Sequence, residues 1–201
     1  MKINVIAKLS IIFYATTLLG ADKEQLIKKI VSYTENKKNP STEYIINMIE
    51  DKRLQTDKEV LDRFKNKPEK IKTYEQYKKI FFNEQRIVGG VNFYKENKAL
   101  IARVAKEFEI DPIVIVAIVG VETNYGSKTT GFLVINSLYT QAIKMPKRAS
   151  WATKEIAELL IFCSENNIDP FSLEGSYAGA FGYGQFIPSS FNKLSIDYSG
   201  D

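Results

Sequence analysis

The stretch Asp111-Pro112-Ile113-Val114-Ile115-Val116-Ala117-Ile118-Val119-Gly120-Val121-Glu122-Thr123-Asn124-Tyr125-Gly126 decides the fold class. Its β-branched residues would suit a strand on propensity alone. The Asp-Pro start argues for a helix. Aspartate is a good N-cap, and proline fits the first helical position, where its missing N–H would be unpaired in any case. Gly126 is a plausible C-cap. The reading is therefore a helix that is apolar all round, and so buried. Glu122 ends the apolar run. A carboxylate at the C-terminal end of a buried helix faces the negative end of the helix dipole and poor solvation. Both favour the protonated form, which a general acid needs. The other reading is that Glu122 marks the helix emerging into water, and composition leaves the two open.

Upstream of this run the chain reads as amphipathic, lysine-rich helices. Asp22 opens a stretch with Leu26, Ile27, Ile30 and Val31 on one face. Ser41 and Thr42 open a second, and Asp57 a third that Pro68 ends. Tyr74, Tyr77, Ile80, Phe81 and Phe82 mark a fourth, and the stretch from Ile87 to Phe108 then carries Val91, Phe93, Leu100, Ile101, Val104, Ala105 and Phe108. Downstream come a helix over about 153–166, an Asp169-Pro170 turn, and a segment dense in glycine and aromatics. The fold class is mainly α.

The chain has 201 residues, 44% of them apolar, which is enough to bury a core. Histidine is absent, which removes Ser-His-Asp chemistry and His-ligated zinc. The single cysteine, Cys163, lies in an apolar run and reads as a small core hydrophobe. No internal disulfide or four-cysteine metal site can form. The net charge of +4 is spread over many lysines with no compact Arg/Lys block, so a nucleic-acid partner is not expected. Chemistry must rest on carboxylates, hydroxyls, amides or lysines. Lys2 and Lys8 precede the apolar run Leu9–Leu19, with Gly20 and Ala21 before Asp22, and together they read as a secretory signal peptide over residues 1–21. The run is too short for a comfortable membrane span. The expectation is an exported, periplasmic protein with no stable membrane span once the signal is removed.

The second chemical cluster runs from Gly175 to Ser190. Gly175, Gly179, Gly182 and Gly184 let the backbone approach another surface or a ligand. Interleaved aromatics, Tyr183 and Phe186 among them, offer flat apolar faces, and Ser176, Gln185 and Ser190 offer donors and acceptors. Rings plus amides are what a sugar-binding groove requires, although the same string could be tight helix packing. In Met145-Pro146-Lys147-Arg148-Ala149 two cations follow a proline and could hold an anionic group, or form a solvated basic turn.

Ile118-Val119-Gly120-Val121-Glu122-Thr123-Asn124-Tyr125-Gly126 resembles the catalytic motif of the membrane-bound lytic transglycosylase B family. Gly175 to Ser190, reading GSYAGAFGYGQFIPSS, resembles that family's second signature almost letter for letter. The resemblance runs from about Tyr77 through Asp201. It implies a lysozyme-like catalytic core preceded by an N-terminal helical region, with residues 22–72 as that region and 73–201 as the transglycosylase domain. It also implies action on the β-1,4 bond between N-acetylmuramic acid and N-acetylglucosamine of peptidoglycan, giving a 1,6-anhydro product. Glu122 matches the single acid/base. Ser176, Gln185 and Phe186 match groove residues, Tyr77 a further aromatic contact, and Tyr183 joins them in the second signature. Lys147 and Arg148 fall where the family usually has two arginines; lysine keeps the charge but loses the planar fork.

The final residues depart from the family. Asp197-Tyr198-Ser199-Gly200-Asp201 resembles the first five positions of an EF-hand-like loop, with oxygens from Asp197, Ser199 and Asp201. The remaining ligands and the C-terminal helices of the family are missing, so no stoichiometric calcium, and no other cofactor, is expected. Two further readings stay open: a truncated, non-catalytic peptidoglycan-binding protein, and a secreted helical interaction protein in which both motifs are only packing.

Overall fold

The computed structural model describes residues 17–66, 73–127 and 131–196. Helix follows helix because polar caps fall where the chain supplies them. Helix α1 (Thr17–Thr34) runs through Asp22, so that residue is interior and not the expected cap. Helix α2 (Thr42–Glu50) is capped by the Ser41 side chain, which accepts from the Tyr44 N–H, and α3 (Lys58–Lys65) by Asp57, which accepts from the Glu59 N–H. The helix stop assigned to Pro68 lies outside the described residues. Helix α4 (Tyr74–Phe81) opens on a capping box between Thr73 and Gln76.

The stretch from Ile87 to Phe108 falls on two helices. Helix α5 (Glu84–Glu96) and helix α6 (Lys98–Glu107) meet at Asn97. The Asn97 backbone N–H and its side-chain amide both donate to the Phe93 carbonyl, at 3.0 and 2.9 Å. An asparagine that bonds its own preceding turn competes with helix continuation.

Helix α7 (Pro112–Thr123) begins as expected, with Asp111 accepting from the Ile113 N–H and Pro112 in the first turn. It ends on Asn124 in the left-handed region (φ 50°), two residues before the expected Gly126 cap. It is not buried all round. Val116, Gly120 and Thr123 face inward against α5 and α6, while Ile113 is 71% exposed, Ile118 53% and Val121 48%. The apolar composition is right for a helix, but only one of its faces is covered among the described residues.

The core lies elsewhere. Helix α8 (Val134–Lys144) and helix α9 (Ala149–Glu165) pack along each other, and α1 and α10 (Pro188–Leu194) pack on α9. Leu26 and Ile30 of α1, Ile45 and Ile49 of α2, Val134, Ile135 and Leu138 of α8, and Ile156, Leu159 and Leu160 of α9 form one cluster. The first two helices therefore share a core with residues far along the chain. Cys163 sits in that cluster at 0% exposure, the core hydrophobe expected. A short antiparallel pair, β1 (Phe132–Leu133) with β2 (Glu174–Gly175), ties the entry to α8 to the start of the glycine-aromatic segment, Phe132 opposite Gly175. A 3-10 turn at Pro170–Ser172, capped by Asp169, precedes β2.

Candidate active site

Glu122 lies in the last turn of α7 and is exposed. The poor solvation expected around it is therefore absent here, because the face of α7 that carries Ile118 also carries Glu122 one turn later. The next residue does the joining. Thr123 is buried, and its hydroxyl lies 3.2 Å from the Val119 carbonyl and 3.4 Å from the Tyr183 carbonyl. The same oxygen accepts from the Gly126 N–H at 3.0 Å. Gly126 (φ 79°) lies under the Tyr183 ring: a Cβ there would come within 2.4 Å of it. The turn after the glutamate and the glycine-aromatic segment are thus seated on each other, with the Tyr183 ring itself 63% exposed.

That segment is a tight hairpin-like loop. Phe181 and Phe186 exchange backbone hydrogen bonds of 2.9 and 3.1 Å, and Gly175 bridges to Phe181. Four residues between the pair force the chain through the left-handed region at Gly182 (φ 72°) and at Gln185 (φ 49°). A non-glycine residue held there is the kind of strain that collects at ligand sites. The Gln185 side-chain amide donates to the Gly182 carbonyl at 3.1 Å, leaving its own carbonyl oxygen free to accept. Ser176 uses its hydroxyl oxygen to accept from the Ala180 N–H at 3.0 Å, which leaves its O–H as a donor. The Phe186 ring is 39% exposed.

The two basic candidates separate. Lys147 is exposed on the turn between α8 and α9. Arg148 is committed to the fold. Its guanidinium lies 4.1 Å above the Trp151 ring and 5.1 Å from the Phe64 ring, and its Nε donates to the Gln141 oxygen at 2.8 Å. Burial pushes its pKa down. The buried Gln141 amide donates in turn to the Tyr177 carbonyl at 3.3 Å, and the Tyr177 ring meets Phe64 edge-on. Arg148 therefore braces the backbone next to Ser176 through its Nε and its ring contacts. Tyr77 projects from α4, 41% exposed, with its ring 5.1 Å from Phe81.

Three residues that hold the site were given no role by the motif reading. Thr123 is one, and its signal is phase: 116, 120 and 123 are the buried positions of α7. Arg86 is the second; its guanidinium donates to the Gly120 carbonyl. Glu155 is the third. It is 2% exposed on the core face of α9, where its two oxygens accept from the Ser189 N–H at 2.9 Å and the Ser189 hydroxyl at 2.8 Å. An acid in phase with Ala152, Ile156 and Leu159 is the clue the sequence offered. Among the described residues no cluster of acids, cysteines or histidines could hold a metal ion.

The model of the transglycosylase SLT domain matches residues 20–201. This chain belongs to that family. Membrane-bound lytic murein transglycosylase B of Escherichia coli (strain K12) is 34% identical over 126 residues, which are 63% of this chain and 35% of that protein. The crystal structure of soluble lytic transglycosylase SltB1 from Pseudomonas aeruginosa superposes with a TM-score of 0.79 at 34% identity, covering 88% of this chain and 59% of that one. Escherichia coli lytic transglycosylase Slt35, solved with bulgecin A and with calcium, gives 0.75 at 30% identity, over 90% of this chain. The lysozyme-like, mainly helical fold is that of these transglycosylases. This chain spans little more than half of SltB1 and about a third of transglycosylase B.

Proposed function

We propose that this chain is a peptidoglycan lytic transglycosylase with Glu122 as its single acid/base. Glu122 protonates the glycosidic oxygen between N-acetylmuramic acid and N-acetylglucosamine as the bond to the anomeric carbon breaks, with the substrate's acetamido group assisting. The carboxylate then takes the proton of the muramyl 6-hydroxyl as that oxygen closes on the anomeric carbon. No water is consumed, the glutamate is regenerated, and the product ends in a 1,6-anhydro ring. One carboxyl group suffices, which agrees with there being no second acid beside Glu122 in either motif; paired-carboxylate glycosidases need two. Tyr77, Tyr183 and Phe186 offer exposed ring faces for sugars, and Ser176 and Gln185 a donor and an acceptor. Lys147, exposed on the turn between α8 and α9, offers a cation for an anionic group of the polymer.

The observation that carries this reading is the seating of Thr123 and Gly126 on Tyr183, which brings the glutamate-bearing turn and the glycine-aromatic loop together from 60 residues apart. The protein would act where peptidoglycan lies, outside the inner membrane. The signal sequence read at 1–21 falls largely outside the described residues, and no described helix is long and apolar enough to cross a membrane. Asp197, Ser199 and Asp201, read from the sequence as the start of an EF-hand-like loop, lie outside the described residues.

The test is to incubate the purified chain with sacculi and read soluble products by mass spectrometry, with Glu122→Gln alongside. Anhydromuropeptides from the native chain and none from the variant are expected. Reducing-end products would make it a hydrolase, and retained activity in Glu122→Gln would remove the acid/base. The exposed position of Glu122 favours a second reading, a glycan-binding protein without turnover. Sacculus binding without product release from a folded chain would select it.

A further inference from the structure

Two consecutive non-glycine residues after Glu122-Thr123 sit in the left-handed region, Asn124 at φ 50° and Tyr125 at φ 61°. Such a pair persists only where the surroundings hold it. The holding element is a slot cut for the Tyr125 side chain. A Cβ at Gly120 would come within 2.5 Å of the Tyr125 hydroxyl, one at Gly90 within 2.7 Å, and one at Gly89 within 3.0 Å of its ring. The ring therefore lies flat across α5 and the last turn of α7, 5.6 Å from the Phe93 ring. Its hydroxyl donates to the Arg86 carbonyl at 2.9 Å. Arg86 answers from the same turn of α5, its guanidinium donating to the carbonyl of Gly120, two residues before Glu122. That carbonyl already accepts the Asn124 N–H at 3.1 Å. A cation at the C-terminal end of α7 also opposes the dipole there. The guanidinium lies 5.1 Å from the Phe81 ring, which packs on Tyr77, so the contact chain reaches the outlying aromatic of the site.

We propose that Arg86 and Tyr125 form a reciprocal lock that fixes the direction in which Glu122 leaves α7, making both positioning residues for the acid/base. The lock rests on the reading of Glu122 under Proposed function. Neither residue needs to touch glycan. Tyr125 sets the turn, and Arg86 pins the carbonyl around which that turn is made. An error of about an ångström in a reacting group costs on the order of a hundredfold in rate.

The experiment compares the full chain with Arg86→Ala, Arg86→Lys and Tyr125→Phe, the last removing only the hydroxyl. Backbone hydrogen exchange at Asn124, Tyr125 and Gly126 should rise about tenfold or more in Arg86→Ala, with α8 and α9 unchanged. For sacculus digestion, kcat should fall about tenfold to a hundredfold while KM and sacculus binding stay within about twofold. Arg86→Lys should recover part of the rate, and Tyr125→Phe should show the same split more weakly. Unchanged exchange in Arg86→Ala would overturn the lock, as would a raised KM with kcat intact. If Arg86→Ala fails to fold, Tyr125→Phe decides on the same two readouts. No product from the native chain would sink the catalytic reading alone, and the exchange data would still decide whether Arg86 and Tyr125 hold the turn.

Discussion

Glu155 is a carboxylate in the interior whose two oxygens are both spent on Ser189, one on its N–H and one on its hydroxyl. Ser189 is in the first turn of α10, which leaves the loop carrying Tyr183, Gln185 and Phe186. Replacing Glu155 by alanine removes two hydrogen bonds to a charged acceptor, worth about 1.5–3 kcal/mol each in general. Ser189 is only partly buried, so water recovers some of that, and a loss of about 2–4 kcal/mol is expected. For a domain of this size each kcal/mol lowers Tm by about 2–4 °C, so the fall should be on the order of 8 °C. Glu155→Gln keeps one acceptor oxygen and should lose about 1–2 kcal/mol. Ser189→Ala removes one of the two bonds, and its cycle with Glu155→Ala should show coupling of about 1 kcal/mol. The assay is thermal unfolding followed by circular dichroism. The exposed pair Lys28–Glu24, 2.7 Å apart, is the control, and Glu24→Gln should not shift Tm measurably. A Glu155→Ala variant melting within about 2 °C of the native chain would refute the reasoning, since it would mean that the buried carboxylate holds nothing.

Burial pushes the Cys163 thiol from its ordinary 9.0 up to about 12, and the half-buried Tyr44 phenol from 10.0 to about 12; Cys163 adds to the Tyr44 shift and Asp169 to both. The unfolded chain then gives up these protons first, so stability held below about pH 9 should drain away as pH rises toward 12; a urea midpoint that stays level across that window would contradict this. At about pH 8 a thiol reagent should leave the native protein unlabelled and react once in denaturant.

The parts of the fold legible in the sequence were those written in local chemistry. Ser41, Asp57 and Asp111 each cap the helix expected of them, because a short oxygen-bearing side chain next to an apolar period has few other uses. What failed was whatever depended on neighbours not visible from the local run. Asn97 divides a continuous amphipathic pattern by bonding to Phe93, a choice that propensity does not dictate. Arg148 looked like a free cation beside Lys147, and only the approach of Phe64 and Trp151 from other elements shows that it is held. Arg86 carried no motif at all; its role exists because α5 crosses the end of α7.

The reading of Glu122 failed in its environment and held in its placement, and the two have different causes. Placement follows from Asp111 and Pro112 starting a helix whose twelve residues end at Thr123, and from Thr123 and Gly126 meeting Tyr183. Environment depends on what lies over the stripe of Ile113, Val114, Ile118 and Val121, and these residues are all more than two-fifths exposed. A run of apolar residues predicts that a helix can be buried, not that its partner is present. The acid role proposed for Glu122 asks for a site that excludes water during the reaction. With the stripe exposed, a bound glycan lying over it and over the Tyr183 face would supply that exclusion. Binding and activation of the acid would then be one event, and the strength of the grip at Tyr183, Gln185 and Phe186 would set the rate as well as the affinity.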